Sequence, residues 1–284
     1  MSSPIITLTT DFGSRDGFVA AMKGVILNIC PDATLVDISH EVPPHDIAHG
    51  AFVLGSASQF FPQGTIHLAV VDPGVGSSRH PLLLVTHNGY FVGPDNGIFS
   101  YVVLADLQRF GMSVGELHGN LEPMSTIIIP VPQACEAYIL NRADYWLDEI
   151  SSTFHGRDIF APVAAHLARG IPSSTVGQEL GEIKFLNIPQ PVVHGDTIFG
   201  HVIFVDHFGN LITNIPTSFG IPKDVEVNIA RRTIAGLSQS YSDATLGLLA
   251  IAGSHGYIEI AVRRGSAAQL LNAGVGTRLE VKFP

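Results

Sequence analysis

Cysteine is almost missing from this chain of 284 residues: Cys30 and Cys135 stand alone and match neither a CxxC nor a zinc spacing. Two thiols are too few for a disulfide framework, and such sparing use points to a reducing compartment, with the cytoplasm as the default. Charge is scarce as well. Charged residues make up 14% of the chain against 46% hydrophobic ones, so a large core is available and the composition is not that of a disordered chain. Positive charge is the scarcer sign, with 15 Lys and Arg against 25 Asp and Glu, a formal net charge of -10. That balance argues against a nucleic-acid partner, whose binders carry a basic face, and is compatible with a cationic small-molecule substrate. Long apolar runs are absent too. None approaches membrane-spanning length, and Met1–Pro4 leads into IITL with no basic leader, so neither membrane insertion nor export is expected. The chain shows no internal repeat and no low-complexity segment.

What is present is a change of texture along the chain. The length suits two moderate domains. In the first two-thirds, short β-rich runs alternate with helical patterns. IITLTT is followed by DGFVAAMKGVILNI, where Phe18, Met22, Val25 and Ile29 share a helical face and Pro31 ends the run. ATLVDIS, the helical DIAHGAFVLGSASQFF and the buried-strand pattern TIHLAVV come next, and THNGYFV carries an Asn-Gly hairpin signal. This order predicts an α/β sandwich with a mostly parallel sheet, in which ligands bind beyond the carboxyl ends of the strands. Past Asn187 the pattern turns to short strands separated by Gly, Asn, Asp and Ser, the signature of a small all-β barrel. We place the boundary at the proline-containing stretch there. Residues 1–188 form the expected α/β domain and 189–284 the barrel.

Several polar residues fall where such a sheet would bind a ligand. Asp11 follows the first strand and Asp16 lies where the first helix should begin. Asp11 or Ser14 could cap that helix, but a strand-end aspartate can also accept both hydroxyls of a ribose. Asp72 ends the TIHLAVV run, and VVDPGVGSSRHPL sets Arg79 seven residues later across a glycine turn. The pair could be a surface ion pair of little energetic weight, or could orient a small polar molecule. GPDNG offers Asn96, and TFHGRDIF places His155 and Gly156 just before a helix, where an N-terminal dipole favours neutral imidazole. His40, His45 and His49 raise the question of a metal, but Pro43-Pro44 interrupts them and HExxH is missing. In the barrel, DHFGNLITN and AGSHGYIEIAVRRGSAA concentrate polar groups beside glycines, with Phe208 and Asn210 suited to stack on and hydrogen-bond a purine.

TTDFGSRDGFVAAMKG, NICPDATLVDISHEVPPHD, VVDPGVGSSRHPL, GPDNGIFSYV, TFHGRDIFAPVAAHLA, DHFGNLITN and GSHGYIEIAV, in that order across nearly the whole chain, resemble the S-adenosyl-L-methionine (SAM) hydroxide adenosyltransferases. These are the hydrolase relatives of the fluorinase and chlorinase. The resemblance implies a homotrimer with sites between one subunit's N-terminal domain and its neighbour's C-terminal domain, and conversion of SAM and water to adenosine and L-methionine. It implies no cofactor and no metal. The family's water-handling set falls on Asp72, Arg79 and His155, and its ribose aspartate on Asp11. Asp16, Asp206 and Ser254 fall near the methionine end and Phe208 with Asn210 at adenine. Asn96, Phe154 and Gly156 complete the implied substrate contacts. The fluorinase pattern has Thr-Phe-Tyr-Ser at Thr153–Gly156 and a tyrosine at Asp72, and a carboxylate there would repel a halide, so water is the expected nucleophile. The arginine after the Ser254 position is His255 here, and Met124–Ile150 is longer than expected for a hydrolase. The rival readings are a non-catalytic adenosine or SAM sensor and a metallohydrolase built on the three histidines.

Overall fold

The computed structural model describes residues 3–111, 122–242 and 247–284. The chain divides into two compact units, Met1–Asn120 with Ser125–Asn187, and Leu121–Met124 with Ile188–Pro284. Among the described residues, the strands of the first unit are β1 (Ile5–Thr10), β2 (Thr34–Ser39), β3 (Thr65–Val70), β4 (Pro81–Val85), β5 (Gly89–Pro94), β6 (Thr126–Pro130), β7 (Glu136–Leu140), β8 (Gly177–Glu179) and β9 (Glu182–Leu186). Seven of them form one sheet in the order β2-β1-β3-β5-β4-β7-β8, and β6 pairs with β9 apart from it. The helices are α1 (Phe18–Ile29), α2 (Ile47–Ser58), α3 (Ser100–Arg109) and α4 (Ala161–Ala168), with α1 packed on α4 and α2 on α3.

The sheet is mixed, and the connections explain where it changes. β2, β1, β3 and β5 run parallel, because α1 carries the chain from β1 to β2 and α2 carries it from β2 to β3. β4, β7 and β8 are added antiparallel. The hairpin that the Asn-Gly signal predicts is present: β4 turns back into β5 through residues 86–88, and Gly89 has no room for a side chain, since a Cβ would lie 2.3 Å from the Thr65 carbonyl oxygen. The long stretch 124–150 is part of this architecture. It contributes β6 and also β7, which lies between β4 and β8.

The core follows from these layers. Every residue of β3 is buried, as expected for a strand covered on both faces. Removing Leu68 wholly from water contributes on the order of 2 kcal/mol. On α1 the buried stripe is Val19, Met22 and Ile26, one position away from the face the sequence pattern suggested. Phe18 is instead 48% exposed and makes tilted and edge-on ring contacts with Phe12 and Phe154, at centroid distances of 6.0 and 5.3 Å.

The second unit comprises β10 (Val192–His194), β11 (Thr197–Val205), β12 (Leu211–Pro216), β13 (Glu226–Ile229), β14 (Arg232–Ala235), β15 (Leu237–Ser238), β16 (Leu248–Ala252), β17 (Tyr257–Val262), α5 (Ala267–Leu271) and β18 (Arg278–Lys282). Its sheet runs β14-β13-β18-β11-β12-β17-β16-β15 with β10 beside β11, a nearly closed barrel-like arrangement. Alternating residues such as Ile198, Leu211, Val227, Ile260 and Val281 fill its interior.

Candidate functional site

β1 and β3 are parallel neighbours with Thr10 opposite Val70, so both chains leave the sheet at the same edge. Asp11 follows the first and Asp72, after Val71, the second. Arg79 folds back over the turn at 72–77 and donates from Nε to both carboxylate oxygens of Asp72, at 3.0 and 2.9 Å, and from Nη2 to Oδ2. The same Nη2 donates to Nδ1 of His155 at 2.9 Å. Both side chains of the ion pair are 5% exposed, and the Phe160 ring lies under the guanidinium at 5.1 Å. This is a buried, two-oxygen Arg–carboxylate interaction, the geometry in which an ion pair orients its partners firmly.

The hydrogen bond to Nδ1 settles the state of the imidazole. A guanidinium can only donate, so Nδ1 accepts and the neutral ring carries its proton on Nε2. Burial, and then the Arg79 cation, lower the His155 pKa below its ordinary value against the opposing pull of Asp72 and Asp158. His155 begins a π-helical turn, Gly156–Phe160, that runs into α4. The loop before it is pinned by Asp158, which is fully buried and accepts from Ser151 N–H at 2.8 Å and Arg157 Nε at 2.6 Å. Burial alone would raise the Asp158 pKa; these bonds reverse the effect and hold it below the usual range. Gly76 adopts φ +75° and packs against this loop, where a Cβ would lie 2.6 Å from the Ser152 carbonyl oxygen.

Asp11 does not cap α1, and neither does Ser14. The helix begins after Gly17 with no side-chain cap. Asp11 Oδ2 accepts the His45 N–H at 2.8 Å, while Ser14 donates to Glu41 at 2.8 Å, so both tie the first loop to residues 41–45. Asn96 supports the sheet edge: its Nδ2 donates to the Val71 carbonyl at 2.8 Å and its Oδ1 accepts from Ile98 N–H. Asp16 is exposed in the turn before α1. Phe154 closes an aromatic triangle with Phe12 and Phe18, and Gly156 is buried with a prospective Cβ 3.3 Å from Phe154. His40 bonds Thr10 Oγ1 through Nδ1, and among the described residues no group of three or more His, Cys, Asp or Glu is arranged to hold a metal ion.

The barrel unit holds the other predicted residues around a cavity of about 830 Å³. Asp206 accepts from the backbone N–H groups of Phe208 and Asn210 at 2.9 and 2.8 Å, and from Asn210 Nδ2 at 2.8 Å. Asp206 thereby shapes the turn that presents Phe208, 74% exposed. Ser254 and His255 line the same cavity. Tyr241 and Glu259 are among the lining residues that the sequence does not single out. Glu259, 2% exposed, accepts from the Tyr241 hydroxyl at 2.6 Å. Burial raises the Glu259 pKa, opposed by the Tyr241 bond and reinforced by Asp206, and burial with the same bond pushes Tyr241 up to about 12.

A mixed α/β unit with a carboxylate–guanidinium–imidazole cluster at the carboxyl ends of its parallel strands, followed by a polar-lined barrel, defines a two-domain protein that binds small molecules. The family is fixed by comparison. Residues 6–177 match the SAM hydroxide adenosyltransferase N-terminal domain and residues 200–280 the corresponding C-terminal domain, and the chain belongs to that family. It is 36% identical to the (R)-S-adenosyl-L-methionine hydrolase of Salinispora tropica, over 98% of each chain. It is also 36% identical to the enzyme of the same name from Methanocaldococcus jannaschii, over 98% of this chain and 96% of the relative. The crystal structure of an uncharacterized conserved protein from Thermotoga maritima superposes with a TM-score of 0.81 at 35% identity, covering 98% of this chain and all of that one.

Proposed function

We propose that the protein hydrolyses SAM to adenosine and L-methionine by in-line attack of water at ribose C5′. The observation that carries this reading is the contiguous Asp72–Arg79–His155 cluster. The C5′–S bond breaks as a C5′–O bond forms; methionine leaves as a neutral thioether, and one proton is lost from the water. The leaving group needs no acid and the displacement needs no cofactor, so the protein's tasks are to place the water and accept its proton.

The roles follow from hydrogen-bonding capacity. Arg79 has no acceptor, and the Nδ1 lone pair of His155 is occupied by Arg79, leaving Nε2–H as a donor that holds the water oxygen. Asp72 Oδ1 accepts one bond from Arg79 and retains acceptor capacity, so Asp72 takes the proton. Asp11 binds the ribose diol through its remaining lone pairs, and Phe208 with Asn210 receives the adenine. Asp16, Asp206 and Ser254 attend the methionine end, and Asn96, Phe154 and Gly156 shape the floor beside the water.

The site is completed between copies, the first unit of one subunit closing on the second unit of its neighbour in a homotrimer. Aromatic surface left open at each half supports this: Phe18 in the first unit and Phe208 in the second are 48% and 74% exposed. Cys30 and Cys135 are free thiols, which favours the cytoplasm as the place of action.

Incubation of metal-stripped protein with SAM in ¹⁸O water tests the reaction. Label in the 5′-hydroxyl of adenosine is the expected result; bound but intact SAM would make the protein a sensor instead.

A further inference from the structure

The barrel carries a second concave surface, of about 630 Å³, on the strands β11, β18, β13 and β14. The register sets His201 opposite Arg278, and Phe199 opposite Glu280, which on its other side faces Asn228. The β13–β14 hairpin adds Arg231 and Arg232. Three of the chain's 15 cationic residues thus line one cavity in a protein of net charge -10. Among the described residues none of the three guanidiniums makes a hydrogen bond or an ion pair. The one acid in the lining, Glu280, lies 3.8 Å from Lys282. Thr233 Oγ1 donates to Asn228 Oδ1 at 2.7 Å and Asn228 Nδ2 donates to Glu226 at 2.9 Å, whereas His201 Nδ1 is buried without a partner.

The hairpin turn adds a second observation. Ala230 and Arg231 have φ of +46° and +62°, the left-handed pair of a two-residue turn that Asn-Gly serves best. A side chain at either position strains the backbone, yet the tip carries an arginine over the cavity. Strain retained at a position that delivers a charged group is the pattern of a binding site. Arg232 pairs with core-facing Ile229, whereas Arg278 lies on the outward face with His201, so Arg231 and Arg278 are the two guanidiniums that suit a compact polyanion here, each planar fork matching two phosphate oxygens.

We propose that this cavity binds a pyrophosphate group, either free or as the diphosphate of a nucleotide, whose base would lie on Phe199, 41% exposed at the cavity wall. The site is independent of the Asp206–Glu259 cavity and of the hydrolytic reading.

Calorimetric titration of the full chain with sodium pyrophosphate, ADP and adenosine tests it. Pyrophosphate is expected to bind with Kd below about 1 mM and adenosine not to bind here. An ADP affinity above that of pyrophosphate, abolished in Phe199→Ala, assigns the site to nucleotides; equal affinities assign it to free pyrophosphate. Arg231→Gly is the decisive variant. It relieves the positive φ, so Tm should rise while pyrophosphate affinity falls at least tenfold, with SAM turnover unchanged. Unaltered affinity in Arg231→Gly combined with Arg278→Glu would overturn the proposal, as would a smaller sedimenting species for that variant, which would make the arginines a contact between copies.

Discussion

Arg79 donates to Nδ1 of His155 at 2.9 Å, and because a guanidinium only donates, it fixes which nitrogen of the imidazole is left to face a ligand. A protonated imidazole would bring an N–H against the Arg79 cation and break that bond. The His155 pKa lies below its ordinary value of 6.5, so the ring is neutral at pH 7 and gains its proton only in more acidic solution. Turnover should therefore be flat through neutrality and fall below pH 6.5, and His155→Gln should lose that acid limb together with about a hundredfold in kcat. A kcat profile over roughly pH 5–8 checks both.

Asp72→Asn keeps the shape of the side chain and removes its charge. Arg79 then remains as a buried cation with a neutral partner, a change that costs about 3 kcal/mol where the pair was fully desolvated. We expect a lower urea midpoint and a kcat reduced about a hundredfold or more. Near-normal turnover would remove Asp72 as the proton acceptor.

Two glycines separate strain from crowding. Gly76 and Gly64 share a left-handed φ, +75° and +81°, but a Cβ at 76 meets the Ser152 carbonyl whereas one at 64 meets nothing within 4 Å. Alanine at either position should destabilise by about 1 kcal/mol through backbone strain. Only Gly76→Ala should also displace the loop bearing His155 and cut kcat tenfold or more. Thermal melts with steady-state kinetics on both variants decide this.

In the barrel cavity, Phe208→Ala should raise KM for SAM by roughly fivefold to a hundredfold, the scale of one lost base–aromatic stack of about 1–3 kcal/mol. Tyr241→Phe leaves the Glu259 carboxyl without its 2.6 Å donor and should raise KM severalfold while sparing kcat. An effect of either variant on kcat alone would place these residues outside substrate binding.

His67 sets a pH limit on stability. It is fully buried on β3, bonded to Thr7 at 2.8 Å and stacked on Phe91, and burial lowers its pKa to about 4. The unfolded chain takes up a proton near 6.5 that the folded chain refuses until about 4. Stability therefore rises with pH across that window, by about 3 kcal/mol in all, and gains nothing more from this group above it. Urea midpoints at several pH values should show this slope, and His67→Gln should flatten it.

The sequence made some of this visible and hid the rest for physical reasons. Asp11 and Asp72 were legible because each directly follows an apolar strand pattern, and parallel strands deliver their ends to one edge. Asp206, Phe208 and Asn210 were legible as a glycine-flanked turn. Their division of labour was not, because the Asp206 carboxylate also accepts from the Phe208 and Asn210 backbone N–H groups, bonds that only the folded turn creates. Asp158, Tyr241 and Glu259 act through partners that folding brings together, and no local periodicity encodes such pairs. The same holds for β7, whose five residues read as ordinary sequence in a long segment until β4 supplies a partner on one side and β8 on the other.

The β4–β5 hairpin has a consequence for how the chain folds. In the first unit's sheet it joins strands three residues apart, whereas β1, β2 and β3 are joined through helical crossovers and β8 reaches β7 across some thirty-six residues. Local closure is fast and long-range closure slow, so the hairpin is the natural nucleus onto which β3 docks. Docking β3 ties down both ends of the segment carrying Asp72 and Arg79, ordering it before the helix behind His155 arrives. In a refolding chevron, variants at Asn88 and Gly89 should slow folding, and variants in β8 should instead speed unfolding with the folding limb unchanged.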